Sequence, residues 1–306
     1  MRFVPPVAVL VALAACGSTT PPEVTPDAGA TGDASAGGDA SSSSGERTLA
    51  SCETQIAADA PEIFRAYFRC VTIETTADAI VISSRALPPH KSNYWGQGSP
   101  NYAPFDTSRG AEYRANPNTL EERAFKLTIP KTPTSRGLTV TAALIDGQVG
   151  SSQLEYPLGV AGVALDSVAI FNPLARPGDD IEAEKFTFDD YNAHPAPEGT
   201  YHYHTASKGP LEVLVAGGLA AQASPGGGDV ELFGVMCDGT FVLGCTELDG
   251  SAPGGGALDA QGGHVHDLTN KTGTVLVADR YHVHVCPSGG GRKFTPEIQY
   301  YSACSR

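Results

Sequence analysis

The feature that most constrains this chain is an internal repeat. Gly162-Val163-Ala164-Leu165-Asp166-Ser167 is matched 72 residues on by Gly234-Val235-Met236-Cys237-Asp238-Gly239. In each copy an apolar run enters an Asp-led turn, and a second run follows, Val168 to Phe171 in one and Thr240 to Leu243 in the other. Phe188-Asp189 followed by His194 then corresponds to Leu258-Asp259 followed by His264, at an offset of 70. Each copy closes on a similar string, Tyr201-His202-Tyr203-His204 and Tyr281-His282-Val283-His284. Three matching elements in fixed order mark a duplicated unit with halves at about 158–215 and 230–286, the second lengthened ahead of its closing string.

The building blocks read as strands. Apolar residues alternate, or come in short β-branched runs, at 79–83, 125–129, 138–145, 211–215, 231–235, 274–277 and 281–285, separated by Gly, Pro, Asn and Asp. That pattern predicts a mainly β fold, a sandwich or barrel-like domain. One short N-terminal helix is expected over 60–69, where Asp59 caps, Pro61 opens the first turn, and Ile63, Phe64, Tyr67 and Phe68 recur at helical spacing. The Gly-rich stretches at 224–229 and 253–256 lack the strand-to-helix setting of a phosphate loop and read as surface loops.

The N-terminus reads as an address. Met1-Arg2 and an apolar stretch from Phe3 to Ala15 form a signal peptide over 1–15, too short to span a bilayer. It ends in Leu13-Ala14-Ala15-Cys16-Gly17, the form of a bacterial lipobox, which makes Cys16 the lipidated residue of an exported, membrane-anchored protein facing the periplasm or the cell surface. Residues 16–50, mostly Ser, Thr, Gly, Ala, Pro and Asp, read as a disordered tether ahead of a β domain over 51–306. Cys52, Cys70, Cys237, Cys245, Cys286 and Cys304 remain, an even number suited to disulfides in an oxidising compartment. Pairing sequence neighbours is the simplest connectivity, although a two-residue Asp238-Gly239 turn would set Cys245 opposite Leu232 and away from Cys237. A net charge of −14 without a basic run excludes nucleic acid as a partner; the membrane is reached through lipid alone.

Function is expected at the histidines. On a strand, residues i and i+2 share a face, so His202 and His204 point one way and Tyr201 and Tyr203 the other, and His282 and His284 do likewise. His194 and His264 supply a third imidazole to each set, with His266 as a spare and His90 as the group around which the sets are expected to merge at the repeat interface. Three imidazoles suit copper or zinc and leave a coordination position open. Asp189 and Asp259 are candidate further ligands or acceptors that orient the rings. The tyrosines read as packing residues.

The Tyr201-His202-Tyr203-His204 string, with Asp189, His194-Pro195 and Gly199 ahead of it, resembles the signature of the bacterial YHYH domain family. The Gly162–Asp166 turn, the second copy ending at His284, and Ile82 to His90 with its Pro-x-His element are similar to other parts of that family, so the resemblance runs from about Ile80 to Cys286. Val283 stands where a second Tyr is expected, and Cys237 replaces an aliphatic residue. The resemblance implies an exported, often surface-attached domain and does not supply a reaction. Three functions compete: a metal-binding lipoprotein; an extracytoplasmic enzyme, hydrolase or oxidoreductase, using a metal or the histidines directly; and a non-enzymatic module for a glycan, protein or small molecule, with Tyr94, Trp95 and Tyr102 as an aromatic platform. No Gly-x-Ser-x-Gly, His-Glu-x-x-His, Walker or dinucleotide fingerprint is present.

Overall fold

The structure, a computed structural model, describes residues 45–145, 154–174, 181–254, 258–287, 292–302 and 304. The expected signal peptide, the Cys16 lipid site and the tether up to residue 44 lie outside the described residues. Within the stretch expected as tether, Arg47 is tied down: its backbone N–H donates to Asn101 Oδ1 and its Nε to the Leu87 carbonyl.

The fold is mainly β, with strands in two sheets and no closed barrel among the described residues. A four-stranded sheet holds β1 (Gln55–Ile56), β2 (Thr72–Thr75), β3 (Ala79–Ser84) and β4 (Phe125–Pro130) in sequence order. An eight-stranded sheet is built from β5 (Val160–Ala164), β6 (Ala169–Phe171), β7 (Ala193–Pro195), β8 (Tyr201–Tyr203), β9 (Leu232–Met236), β10 (Phe241–Leu243), β11 (Gly263–Thr269) and β12 (Val275–His284). One buried apolar cluster joins Ile80, Ile82, Leu127 and Ile129 of the small sheet to Val163, Ile170, Val235 and Phe241 of the large one, as in a sandwich.

The large sheet displays the repeat. Its order, β11-β12-β10-β9-β5-β6-β8-β7, is a palindrome of the two copies. At the centre β5 and β9 run antiparallel with Val163 opposite Val235, flanked by Gly162 opposite Met236 and Ala164 opposite Gly234, so the copies meet across a local two-fold axis. Only glycine fits beside that axis: a Cβ would lie 2.7 Å from the Val235 carbonyl oxygen at Gly162 and 2.2 Å from that of Val163 at Gly234. Both His-bearing hairpins, β7-β8 and β11-β12, are thereby sent to opposite ends of one sheet.

Several elements depart from expectation. The N-terminal helix is Glu62–Tyr67, and Asp59 accepts a hydrogen bond from Thr75 instead of capping it. The run 211–215 lies inside a helix, Lys208–Ala216: Ser207 Oγ accepts from the Gly209 N–H at its start, and Leu211 and Leu214 bury one face. That cap and that burial outweigh the β-branched Val213 and Val215. Residues 142–145 form a single helical turn, and the two runs at 274–277 and 281–285 merge into the long strand β12.

Three disulfides form, Cys52–Cys70, Cys237–Cys304 and Cys245–Cys286, so neighbour pairing holds only for the first. The β9–β10 register explains the others. Phe241 pairs with Val235, leaving Cys237-Asp238-Gly239 as a three-residue turn with Gly239 at φ 96°, one residue longer than the expected hairpin. Cys237 therefore leaves the β9–β10 pairing, while its N–H still donates to the Ala161 carbonyl of β5. β10 runs parallel to β12 with Leu243 beside His284, and two residues further along both strands Cys245 meets Cys286. Three disulfides fit an oxidising, extracytoplasmic compartment, and no described helix is long and apolar enough to cross a membrane.

Candidate metal centres

Each copy assembles its histidines by the same backbone device. His194 on β7 lies directly opposite His202 on β8, and His264 on β11 opposite His282 on β12; His204 and His284 follow two residues along on the same face. Asp189 and Asp259 shape the turns before β7 and β11. Asp189 Oδ1 accepts from the N–H groups of Tyr191 and Ala193, and Asp259 Oδ1 accepts from those of Gln261 and Gly263.

His194, His202 and His204 converge, with one ligand atom from each inside a 4.8 Å span. All three are buried. Their proton positions follow from what each Nδ1 faces. His202 Nδ1 is 2.9 Å from the Thr200 carbonyl and His204 Nδ1 is 2.7 Å from the Asn172 carbonyl; carbonyls only accept, so both Nδ1 atoms carry hydrogen. His194 Nδ1 is 2.6 Å from Thr187 Oγ1, whose own hydrogen goes to the Glu184 carbonyl, so here too Nδ1 donates. Burial pushes His194 down to about 3, helped by neighbouring His204, and pushes His204 down to about 4; it holds His202 well below the ordinary imidazole range, with His204 and His194 adding to it. Neutral rings with hydrogen on Nδ1 turn their Nε2 lone pairs inward, and those of His202 and His204 stand 2.9 Å apart. Two lone pairs at that distance repel unless a cation lies between them, and a span under ~4 Å suits two nitrogens each ~2.0–2.1 Å from one ion.

The second centre contains a residue that the sequence reading missed. Glu247 Oε1 lies 3.1 Å from His264 Nε2, 3.1 Å from His266 Nε2 and 3.2 Å from His284 Nε2, and its Oε2 lies 3.3 Å from His282 Nε2. The Nδ1 atoms of His266, His282 and His284 face the carbonyls of Asp267, Arg280 and Gly244, which again points bare Nε2 atoms at the acid. Burial lowers His282, partly offset by Glu247. Glu247 Oε2 and His282 Nε2 are buried without a hydrogen-bond partner, as is His264 Nδ1. Two orphaned acceptors beside four imidazoles fit a bound cation.

The repeat could not reveal Glu247, because Ala175 stands at the corresponding position. The acid is delivered by the Cys245–Cys286 bond and by a tight turn in which its N–H donates to the Ser251 carbonyl. His266, expected as a spare, takes part in this cluster.

Other expected site residues are placed elsewhere. His90 joins neither cluster: its ring stacks on Tyr191 at 3.4 Å and its Nε2 lies 3.2 Å from the Tyr203 hydroxyl, on the face of β8 opposite His202 and His204. The two centres do not merge, since the whole sheet separates their hairpins. Asp189 and Asp259 do not touch the imidazoles; their Oδ2 atoms accept from the hydroxyls of Tyr201 and Tyr281. Ring orientation is set by backbone carbonyls and Thr187 instead. Where Val283 lacks the hydroxyl of Tyr203, Asp238 accepts from Tyr156, as Asp166 does from Tyr203. Of the expected aromatic platform, Tyr94 is buried with its hydroxyl on the Thr187 carbonyl, whereas Trp95 and Tyr102 are half-buried, Trp95 Nε1 donating to the His90 carbonyl.

The surroundings of the centres differ. His194, His202 and His204 line a cleft of about 700 Å³ together with Asn116, Asn118, Leu158 and Phe171. Of the second cluster only Glu247 and His266 border a smaller pocket, of about 340 Å³.

Residues 128–249 match the family described as YHYH protein. The match spans the first copy and ends just past Glu247, ahead of β11. No curated protein and no solved structure matches the chain.

Proposed function

From a chain that carries a YHYH domain, we propose that the protein is an exported, lipid-anchored metal-binding protein holding zinc or copper at the two histidine centres. The observation that carries this is that each Nδ1 of the first centre faces an oxygen able only to accept its hydrogen. Backbone carbonyls and Thr187 hold hydrogen on the Nδ1 atoms of the first centre, so its Nε2 lone pairs meet with no donor between them. Imidazole sets of this kind favour zinc and copper, with copper ahead in the divalent affinity order. Anchoring rests on the lipobox ending at Cys16 and agrees with the three disulfides.

The test is metal content. Untagged protein, oxidised and stripped with chelator, is titrated with zinc and with copper and then measured by elemental analysis. Two tightly held ions per chain are expected, falling to one in His202→Ala and one in Glu247→Gln. A folded chain that retains neither metal after desalting removes the reading. Anchoring is tested separately: labelled fatty acid should enter the wild type and not Cys16→Ala.

A further inference from the structure

Building on that metal-binding reading, we infer that the two centres have diverged in role: the one at His194, His202 and His204 exchanges its outer ligand and takes a partly apolar small molecule, whereas the Glu247 centre is closed by protein donors. Three imidazoles leave at least one coordination position unfilled. At the first centre all three rings line the cleft of about 700 Å³, so the unfilled position faces room for a ligand. At the second centre Glu247 brings a fifth donor to His264, His266, His282 and His284, and only Glu247 and His266 border the neighbouring pocket.

The cleft wall names the ligand's chemistry. Phe171 lies flat on the His202 ring, 3.7 Å away, and Leu158, Leu174 and Pro197 extend an apolar surface outward. Asn116, Asn118, Glu184 and Glu198 line the same cleft, and among the described residues no Lys or Arg does. A molecule suited to it presents a carbonyl oxygen or a neutral nitrogen to the metal and an aromatic or aliphatic body to this wall, without needing a negative charge that a cation would anchor.

Cobalt substitution separates the centres by their visible absorption, and imidazole and 4-phenylimidazole serve as probes. In the two-cobalt protein we expect 4-phenylimidazole to shift only part of the spectrum and to bind at least ~10-fold tighter than imidazole, because the phenyl ring is removed from water against the apolar wall. The shifting part should vanish in His202→Ala, and in His204→Gln should the first variant misfold; the silent part should vanish in Glu247→Gln. A shift shared equally by both centres, no shift, or equal affinity for the two probes overturns the division of roles while leaving metal binding standing. A folded chain that takes up neither cobalt nor zinc nor copper refutes metal binding itself, and the inference with it; one that takes up zinc or copper but no cobalt at the first centre overturns the open, exchangeable site.

Discussion

Replacing Glu247 by Gln tests whether the second centre is arranged around a cation or around a conventional ion pair. Around Oε1 stand the Nε2 atoms of His264, His266 and His284 at 3.1, 3.1 and 3.2 Å. His266 and His284 carry their hydrogen on Nδ1, against the Asp267 and Gly244 carbonyls. Only His264, whose Nδ1 has no partner, is free to donate through Nε2. Without metal, Gln therefore gives up one charge-assisted bond of ~1.5–3 kcal/mol and gains up to two amide N–H bonds of ~1 kcal/mol each. The stripped variant should lie within ~1 kcal/mol of wild type, or ~2–4 °C in Tm for a folded region of this size. If Glu247 were instead paired with imidazolium, breaking the pair would cost ~3–5 kcal/mol. With metal at 100 times its Kd, each occupied site adds ~2.7 kcal/mol, and the variant should lose most of that increment at the second site. The assay is thermal unfolding at pH 8, with chelator and with excess zinc. A stripped Glu247→Gln protein that melts ~10 °C below stripped wild type would refute the proton placement argued for these rings.

Thr187→Val removes the hydroxyl that fixes His194 while keeping its volume, and should weaken zinc at the first centre by ~10–100-fold with the second unchanged, as read by competition titration. Cys245→Ser with Cys286→Ser frees the turn that delivers Glu247, so metal should be lost from the second centre first, and in the chain-entropy picture a 41-residue loop costs ~4 kcal/mol of stability, measurable by denaturant unfolding. Asp166 offers a pH test away from the metals. Burial pushes it up to about 7, against the hydrogen bonds from Tyr203 and the Val168 N–H that lower it. Its folded value stands above its unfolded one, so folding takes up a proton between pH ~4 and 7, and stability falls as pH rises through that window. Asp166→Asn, which still accepts from Tyr203, should flatten this dependence by on the order of 4 kcal/mol between pH 4 and 8 in denaturant titrations.

What the sequence made legible follows from what repeats. Strand alternation put His202 and His204 on one face, and the offsets paired His194 with His264; both depend only on local spacing, which duplication preserves. Glu247 was illegible because it has no partner in the first copy and reaches its place through the Cys245–Cys286 bond, a contact set by the parallel register of β10 and β12. The reading of His90 failed for the opposite reason: residue type suggested a ligand, but a cross-sheet contact puts it against Tyr191 and Tyr203. Asp189 and Asp259 are equivalent, as their spacing predicts, yet alternation sends their partners, Tyr201 and Tyr281, to the face away from the histidines.

Duplication also explains how the centres came to differ without disturbing the sheet. Besides the histidines, the positions shared by the copies include those that fix backbone: Gly162 and Gly234 at the close approach, Asp189 and Asp259 in their turns, and the carbonyls of Asn172 and Gly244 that hold His204 and His284. Thr187 and Glu247, which have no like residue in the other copy, lie beside the rings. Thr187, which holds His194, has Ala257 as its counterpart, and Ala175 has Glu247. At the first centre a neutral hydroxyl supports a ring from behind and leaves the metal-facing side open to the cleft. At the second, the carboxylate stands on the metal-facing side itself, among four Nε2 atoms. Moving one polar group from behind the imidazoles to in front of them changes the coordination number and the charge of the site, with the same hairpin underneath.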